Sequence, residues 1–473
     1  MVYWGKPSSD CLPCRKRKLR CDLRRGSCGQ CQRAKLFCHG YRNPDELIIR
    51  DETILTKQKA LARQVEPSPP SSSPKTLPLS WEVRAREAFF TDYIFGFSRS
   101  YEVLPPLCGQ ASATGHLAAS VDAVSVAFMS FRSNAPALRQ LAEEKYVTAL
   151  QKVGHALRMP EISATNETLQ SVMLLDLYEK LVNRDPLRSM AWMSHVLGAV
   201  SLVKSSGNGL IASHTGRRLA TRLAMTLAIS CGAASVRIPD ALTSLREDLS
   251  SHVGDTKWDF AAVVVDVVNL QADIASLRIT CSPEIAGRAR ELDTQLESLE
   301  TTLPRSWAPR SVSISAHPLL FGSSYDVYQD HFVAQVRNAF RTVRLMLNSI
   351  ILKHCPPEMS TPRRDAARAI NVLSEQICAA VTHFILPAAR QGIEARFSSL
   401  QTLQCYTLIP PLYIAGQLSS NQALRNWAIE IMDHMAEAGT MKIAKEVANM
   451  LRLTPEVNYW LVYSMVGCYA LAA

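Results

Sequence analysis

The sequence predicts a mainly α-helical protein with a small N-terminal module built on cysteines, a proline- and serine-rich linker, and a large all-helical C-terminal domain. Three observations predict it. Six cysteines crowd into residues 11–38 at repeated spacing. Residues 67–80, PSPPSSSPKTLPLS, hold five prolines and five serines, the composition of a solvated, non-helical linker. From Trp81 onward, apolar residues recur at helical spacing and no long alternating run argues for a sheet.

Composition sets the outer bounds. The chain has 473 residues, enough for more than one domain, and is 47% hydrophobic but only 7% aromatic. Its net charge of +10 is uneven. Residues 1–50 carry twelve Lys/Arg against four Asp/Glu, a formal +8, and the remainder carries 40 against 38, or +2. The excess belongs to the cysteine module, which is positive enough to seek phosphates.

Residues 1–10, MVYWGKPSSD, read as a flexible N-terminus without the apolar run of a secretory signal. Residues 11–38 follow, with Cys11, Cys14, Cys21, Cys28, Cys31 and Cys38 spaced C-x2-C-x6-C twice. The second triplet repeats the first with a shift of 17 residues, which points to a unit with pseudo-twofold symmetry. Two cysteines separated by two residues grip one metal from a tight turn, and a third closes in from beyond a short helix. Tetrahedral zinc wants four ligands, so one zinc per triplet leaves each a ligand short. Two zinc ions need eight positions and six thiolates are present, so two thiolates must bridge. The symmetric choice is Cys11 and Cys28. Cys14 and Cys21 then complete one site, Cys31 and Cys38 the other. A disulfide framework would need an oxidising compartment, and reduced thiols with zinc indicate an intracellular protein. The other cysteines, Cys108, Cys231, Cys281, Cys355, Cys378, Cys405 and Cys468, stand singly and read as buried structural thiols.

Between the second and third cysteines runs Arg15-Lys16-Arg17-Lys18-Leu19-Arg20, followed by Cys21-Asp22. This stretch resembles the fungal binuclear zinc cluster family of transcription factors. It departs at Gly26, where the family usually has a proline, so the connecting loop is expected to differ. The first helix, expected to start just after Cys14, carries five cations in six positions. The second triplet offers only Arg33 and Lys35 there. The first helix is thus the candidate for entering a DNA groove, the second for holding backbone. Candidate DNA contacts are Arg15, Lys16, Arg17, Lys18, Arg20, Arg33 and Lys35. The resemblance implies that Lys18, with Arg17 beside it, reads a CGG-like triplet, consistent with Lys or Arg donation to guanine O6 and N7. Leu19 and Leu36 are expected to pack as a pair across the pseudo-axis.

Residues 39–66 read as an extension in which Arg42 could touch a phosphate and a short helix covers Asp51–Glu66. Leu47, Ile54 and Leu61 fall seven apart, but Arg50 and Lys57 occupy the second seam. There is therefore no convincing coiled coil, and the oligomeric state is open. Ser68-Pro69 and Ser73-Pro74 in the linker suit proline-directed kinases, though such pairs are ordinary in linkers.

Residues 81–473 are expected to form one all-helical regulatory domain. Stripes such as Val121, Val124, Phe128 and Phe131, or Leu138, Ala142, Ala149 and Val153, mark core faces. Asn166 reads as a helix cap and Gly207 as a helix stop. Further helices are expected near 217–232, 258–301, 326–353, 363–388, 395–416, 421–438 and 441–452, with a break near 304–324. Glu87–Tyr93 reads as core helix rather than activation motif. The run 457–473 reads as a buried C-terminal helix, short of the about 20 residues a bilayer needs, so no membrane partner is expected. Segments such as HLAASVDAVSVAF and LQCYTLIPPLYIAG resemble the fungal-specific regulatory domain that accompanies these clusters.

No nucleotide, hydrolase or zinc-protease motif is present, and a site from Asp176, Glu179 and His195 is not expected, so no enzyme is read here. The reading is a nuclear, zinc-dependent regulator of RNA polymerase II genes. It binds double-stranded DNA and works with transcriptional co-regulators. The alternative is a zinc-stabilised nuclear scaffold whose basic run serves import.

Overall fold

The computed structural model describes residues 9–41, 79–112, 115–133, 135–182, 191–314, 317–386, 396–453 and 458–466. The chain divides into two units, residues 1–78 and 79–473. The helix expected over Asp51–Glu66, the heptad positions, Arg42 and residues 67–78 of the linker lie outside the described residues, as do the first eight residues and the last seven.

In the first unit, α1 (Leu12–Lys16) and α2 (Gly29–Arg33) each begin directly after the leading cysteine of a triplet. Five residues are too few for a helix to hold itself. The sequence repeat reappears bond by bond. The Arg15 N–H donates to the Cys11 carbonyl as Gln32 does to Cys28, and Leu19 donates to Cys14 as Leu36 does to Cys31. Lys18 and Lys35, one repeat apart, both take the left-handed conformation, at φ 53° and 52°. Leu23 and Gly40 form a second such pair, at 51° and 81°.

This geometry corrects the expected helix. Helix α1 contains Cys14 rather than starting after it, and only Arg15 and Lys16 of the basic run lie within it. A helical turn joins Cys11 to Cys14 and lets both face one centre. The chain must then turn back to deliver Cys21, so the helix stops at Arg17 and Lys18 makes the turn. Leu19 and Leu36 are 37% and 44% exposed, so neither belongs to a buried core.

The second unit begins with α3 (Trp81–Ala88), capped by the Ser80 hydroxyl, and runs on through a π-helical stretch over Phe89–Phe95. Phe89 and Tyr93 stack at 5.4 Å and both meet Phe128 of α4 (His116–Ser133), so the Glu87–Tyr93 stretch is helical with one face in the core, while Glu87 and Thr91 are exposed. Helices α5 (Pro136–Ala156) and α6 (Asn166–Val182) pack on α4 and on each other, and α7 (Ala191–Ser205) packs on α6. The cap of α6 is Thr165, whose hydroxyl accepts from the Thr168 N–H at 3.3 Å, not Asn166 as read from the sequence. Gly207 at φ 56° lies just beyond α7. Then come α8 (His214–Ala234) and α9 (Asp240–Ser250), the latter unexpected from the sequence.

The single helix expected over 258–301 is two, α10 (Thr256–Ala275) and α11 (Ser282–Thr301). Leu277 at φ 57° ends the first and Pro283 starts the second, as proline suits a first turn. The break near 304–324 holds a two-stranded antiparallel sheet, β1 (Arg310–Ser313) and β2 (Ser324–Val327), with Arg310 opposite Val327 and Ser313 opposite Ser324. The domain is thus mainly rather than purely helical. Four-residue strands are too short to show alternation. Helices α12 (His331–His354) and α13 (Ser360–Ile385) follow. The stretch 395–416 is again two helices, α14 (Ser399–Tyr406) and α15 (Ile409–Leu418), because Pro410 and Pro411 fit only a new first turn. The chain ends in α16 (Gln422–Ala438), α17 (Lys442–Leu453) and the buried α18 (Tyr459–Val466). One contiguous apolar core joins these elements. Among the described residues, no helix is long and apolar enough to cross a membrane.

Candidate metal centre and nucleic-acid interface

The first unit brings all six cysteines together. Two quartets form, Cys11–Cys14–Cys21–Cys28 and Cys11–Cys28–Cys31–Cys38, with the sulfurs of each within 4.8 Å of one another. Cys11 and Cys28 belong to both. Five of the cysteines are buried and Cys38 is half-buried. The pairs Cys11–Cys28, Cys11–Cys31 and Cys14–Cys28 lie 3.6 Å apart. A zinc–thiolate bond of about 2.3 Å sets the edge of a sulfur tetrahedron at about 3.8 Å, so the donor set fits that metal in kind, number and spacing.

Electrostatics agrees. Burial pushes up the thiols of Cys11, Cys14 and Cys31, the last to about 12. At Cys28 burial acts in the same sense, but the Cys31 N–H and the neighbouring thiols donate to its sulfur and lower it to about 6. Burial makes the Cys11, Cys14 and Cys31 thiolates costly without a cation, so metal uptake there must expel protons.

The module closes around this centre through residues whose role the sequence did not reveal. The Asp22 carboxylate accepts from the Gly29 N–H at 3.0 and 3.1 Å, at the N-terminus of α2. A Cβ at Gly29 would sit 2.7 Å from Asp22 Oδ2 and would push the carboxylate aside. The signal was the repeat itself, since Leu12 occupies the equivalent position in the first triplet. The Tyr41 hydroxyl donates to the Arg24 carbonyl and its ring packs on the cysteines. Gly26 takes φ 86°, which no proline can adopt. The departure from the usual proline is therefore a different loop, not a neutral exchange.

The basic residues lie on the outside. Lys16, Arg17, Lys18, Arg20, Arg33 and Lys35 are exposed and Arg15 is half-buried. Among the described residues, none of Arg15, Lys16, Arg17, Lys18 and Arg20 forms an ion pair. Arg33 folds back, its Nε donating to the Gly29 carbonyl at 3.3 Å.

In the second unit Asp176, Glu179 and His195 do come together, but around Tyr146. Its hydroxyl donates to Glu179 and lies 3.0 Å from His195 Nε2, while Lys180 pairs with Asp176 at 2.8 Å. These polar groups hold α5, α6 and α7 together. The described residues contain no metal-type grouping of His, Cys, Asp or Glu beyond the two cysteine quartets.

Comparison with known proteins gives two matches. Residues 10–47 match the fungal Zn(2)-Cys(6) binuclear cluster domain, and residues 101–452 match the fungal specific transcription factor domain. No curated protein and no solved structure matches the chain. Both families are transcription factors rather than enzymes, and the cluster domain implies zinc and DNA binding. The second match alone spans most of the chain. The chain belongs to the fungal transcription regulators that pair a DNA-binding Zn(2)-Cys(6) binuclear cluster with the fungal-specific transcription factor domain.

Proposed function

We propose that this protein is a nuclear regulator of RNA polymerase II genes that binds two zinc ions per chain and reads a CGG-like triplet in double-stranded DNA. The observation that carries it is the pair of thiol quartets sharing Cys11 and Cys28, beside an exposed basic run without ion pairs of its own. Cys14 and Cys21 complete one site and Cys31 and Cys38 the other. Zinc supplies the folding energy of a module that has almost no apolar core. Lys18, helped by Arg17, contacts guanine, and Arg15, Lys16, Arg20, Arg33 and Lys35 hold phosphates. Residues 11–38 are the DNA-binding domain, 39–66 an extension, 67–80 a linker and 81–473 the regulatory domain that meets co-regulators.

The test joins metal and sequence. The full-length protein, purified with zinc, is used to select from a random DNA pool, and its zinc is counted by elemental analysis. Two zinc ions per chain and enrichment of a CGG-like triplet are expected. One zinc ion in active protein would end the bridged assignment, and a pool without enrichment would leave a scaffold. Cys11→Ala and Cys28→Ala are expected to lose more zinc and more binding than Cys21→Ala or Cys38→Ala, because each removes a ligand from both metals.

A further inference from the structure

The helical unit contains a cavity of about 350 Å³ where α8, α10, α12, α15 and the start of α18 converge. At about 30 Å³ for each water-sized group, it holds about ten non-hydrogen atoms. Its walls are apolar, with Val268, Met346 and Ile414 among them. One cation, Lys353, lines it and no aspartate or glutamate does, while burial and Lys353 itself push the His354 imidazole down toward its neutral form. Among the described residues, no carboxylate pairs with Lys353.

The amide of Gln271 gives the cavity a second donor. Its oxygen accepts from Trp460 Nε1 at 2.6 Å, which fixes which end of the amide is the NH2. Among the described residues, that NH2 has only the Met346 sulfur, 3.8 Å away, a weak acceptor. The Asn458 amide is already spent on the Gly232 carbonyl and the Ser235 hydroxyl. An under-used amide donor, an unpaired ammonium at the mouth and an apolar body form the usual pattern of a ligand pocket. Lys353 and the Gln271 NH2 both suit an anion.

We propose that this cavity is a binding site for a small organic anion, a carboxylate carried on an apolar body of about ten non-hydrogen atoms. The carboxylate meets Lys353 and the Gln271 amide, and the hydrocarbon lies against Met346 and Val268. Because Tyr459 and Asn458 also line the cavity, an occupant ties α18 to α10 and α12. The site lies wholly within the helical unit, so it stands or falls separately from the DNA reading.

Calorimetric titration of the full-length protein with octanoate, octylammonium and octanol tests this. Octanoate is expected to bind saturably at one per chain, with octanol weaker and octylammonium weakest. Lys353→Met keeps the stem and removes the charge, so it is expected to weaken octanoate by about tenfold, the size of one hydrogen bond to a charged group. Ala275→Phe, at an exposed position at the end of α10 that lines the cavity, is expected to block binding without unfolding the chain. Absence of saturable octanoate binding would overturn the proposal. So would octylammonium binding as tightly as octanoate, or Ala275→Phe leaving the affinity unchanged.

Discussion

The two units of this chain are held together by different physics. Residues 79–473 share one contiguous apolar core in which Phe89, Phe97, Phe128 and Phe340 are all but fully buried. In the first unit, the buried cluster among the described residues consists of Cys11, Cys14, Cys21, Cys28 and Cys31, with Cys38 and Tyr41 packed against it. Its described leucines, Leu12, Leu19, Leu23 and Leu36, are all exposed. A core of hydrocarbon is spread over hundreds of contacts and tolerates the loss of one. A core of sulfur depends on what binds the sulfur. The large unit is therefore stable by burial, and the small one is conditional on metal.

Metal removal gives the largest contrast. Zinc sites of this kind contribute on the order of 10 kcal/mol to folding, and no apolar core among the described residues of the first unit can replace that. Chelation of the full-length protein is expected to abolish DNA binding while the helical circular dichroism signal stays within a few per cent of its starting value. If chelation also melted the bulk of the helix signal, the two units would not be independent, and the comparison would fail.

The converse experiment strikes the apolar core. Phe128 is fully buried against Phe89 and Tyr93, at ring distances of 5.8 and 5.7 Å. Phe128→Ala is expected to destabilise the helical unit by about 3–5 kcal/mol, read by denaturant titration. Zinc content is expected to stay unchanged. Loss of zinc in this variant would show that the cluster leans on the helical core.

What could be read in advance also divides along this line. The cysteine spacing carried the quartets and the shared Cys11 and Cys28, because metal coordination is a short-range rule written in sequence separation. The direction of the basic residues was not legible. It depended on where α1 stops, and that is set by the need to bring Cys21 back, not by helix propensity. Asp22 and Gly29 escaped notice because their contact joins two halves of the repeat. In the helical unit, amphipathic spacing located most helices but joined those that break at Leu277 and before Pro410, since apolar spacing continues through a break. The hairpin at Arg310–Val327 was missed because a pair of four-residue strands shows no period. The cavity beside Gln271 has no sequence signature at all, because its lining comes from five separate elements.

Within the small unit, the loop at Gly26 tests how tightly coordination dictates backbone. Its φ of 86° lies far from the about −65° that proline enforces. Gly26→Pro installs the residue common in relatives of this cluster, yet it is expected to cost about 1–3 kcal/mol here. That appears as zinc affinity weakened by about tenfold or more, measured by competition with a chelator of known affinity. Unchanged affinity would mean the loop can switch to the proline form freely.

The smallest effect is also the most informative, because it compares the two halves of the repeat with each other. Lys18 and Lys35 have the same left-handed backbone, one repeat apart, so their side chains leave equivalent positions of a pseudo-twofold unit. Their surroundings differ. Lys18 sits among Arg15, Lys16, Arg17 and Arg20, whereas Lys35 has Arg33, whose guanidinium folds back on the Gly29 carbonyl. If Lys18 contacts a base, Lys18→Ala costs about 1–3 kcal/mol on the matched site and flattens the preference for it. Alanine keeps a Cβ at the same φ, so the left-handed turn is strained no more than before, and the change reads the side chain alone. If Arg33 contacts phosphate, Arg33→Ala weakens matched and scrambled sites alike and lowers the salt slope by about one. Titrations of both variants on both sites at two salt concentrations separate these outcomes. A full ratio between matched and scrambled sites in Lys18→Ala would move base reading elsewhere on the module. The same retained ratio in Lys18→Ala with a lost ratio in Lys35→Ala would assign it to the second half of the repeat.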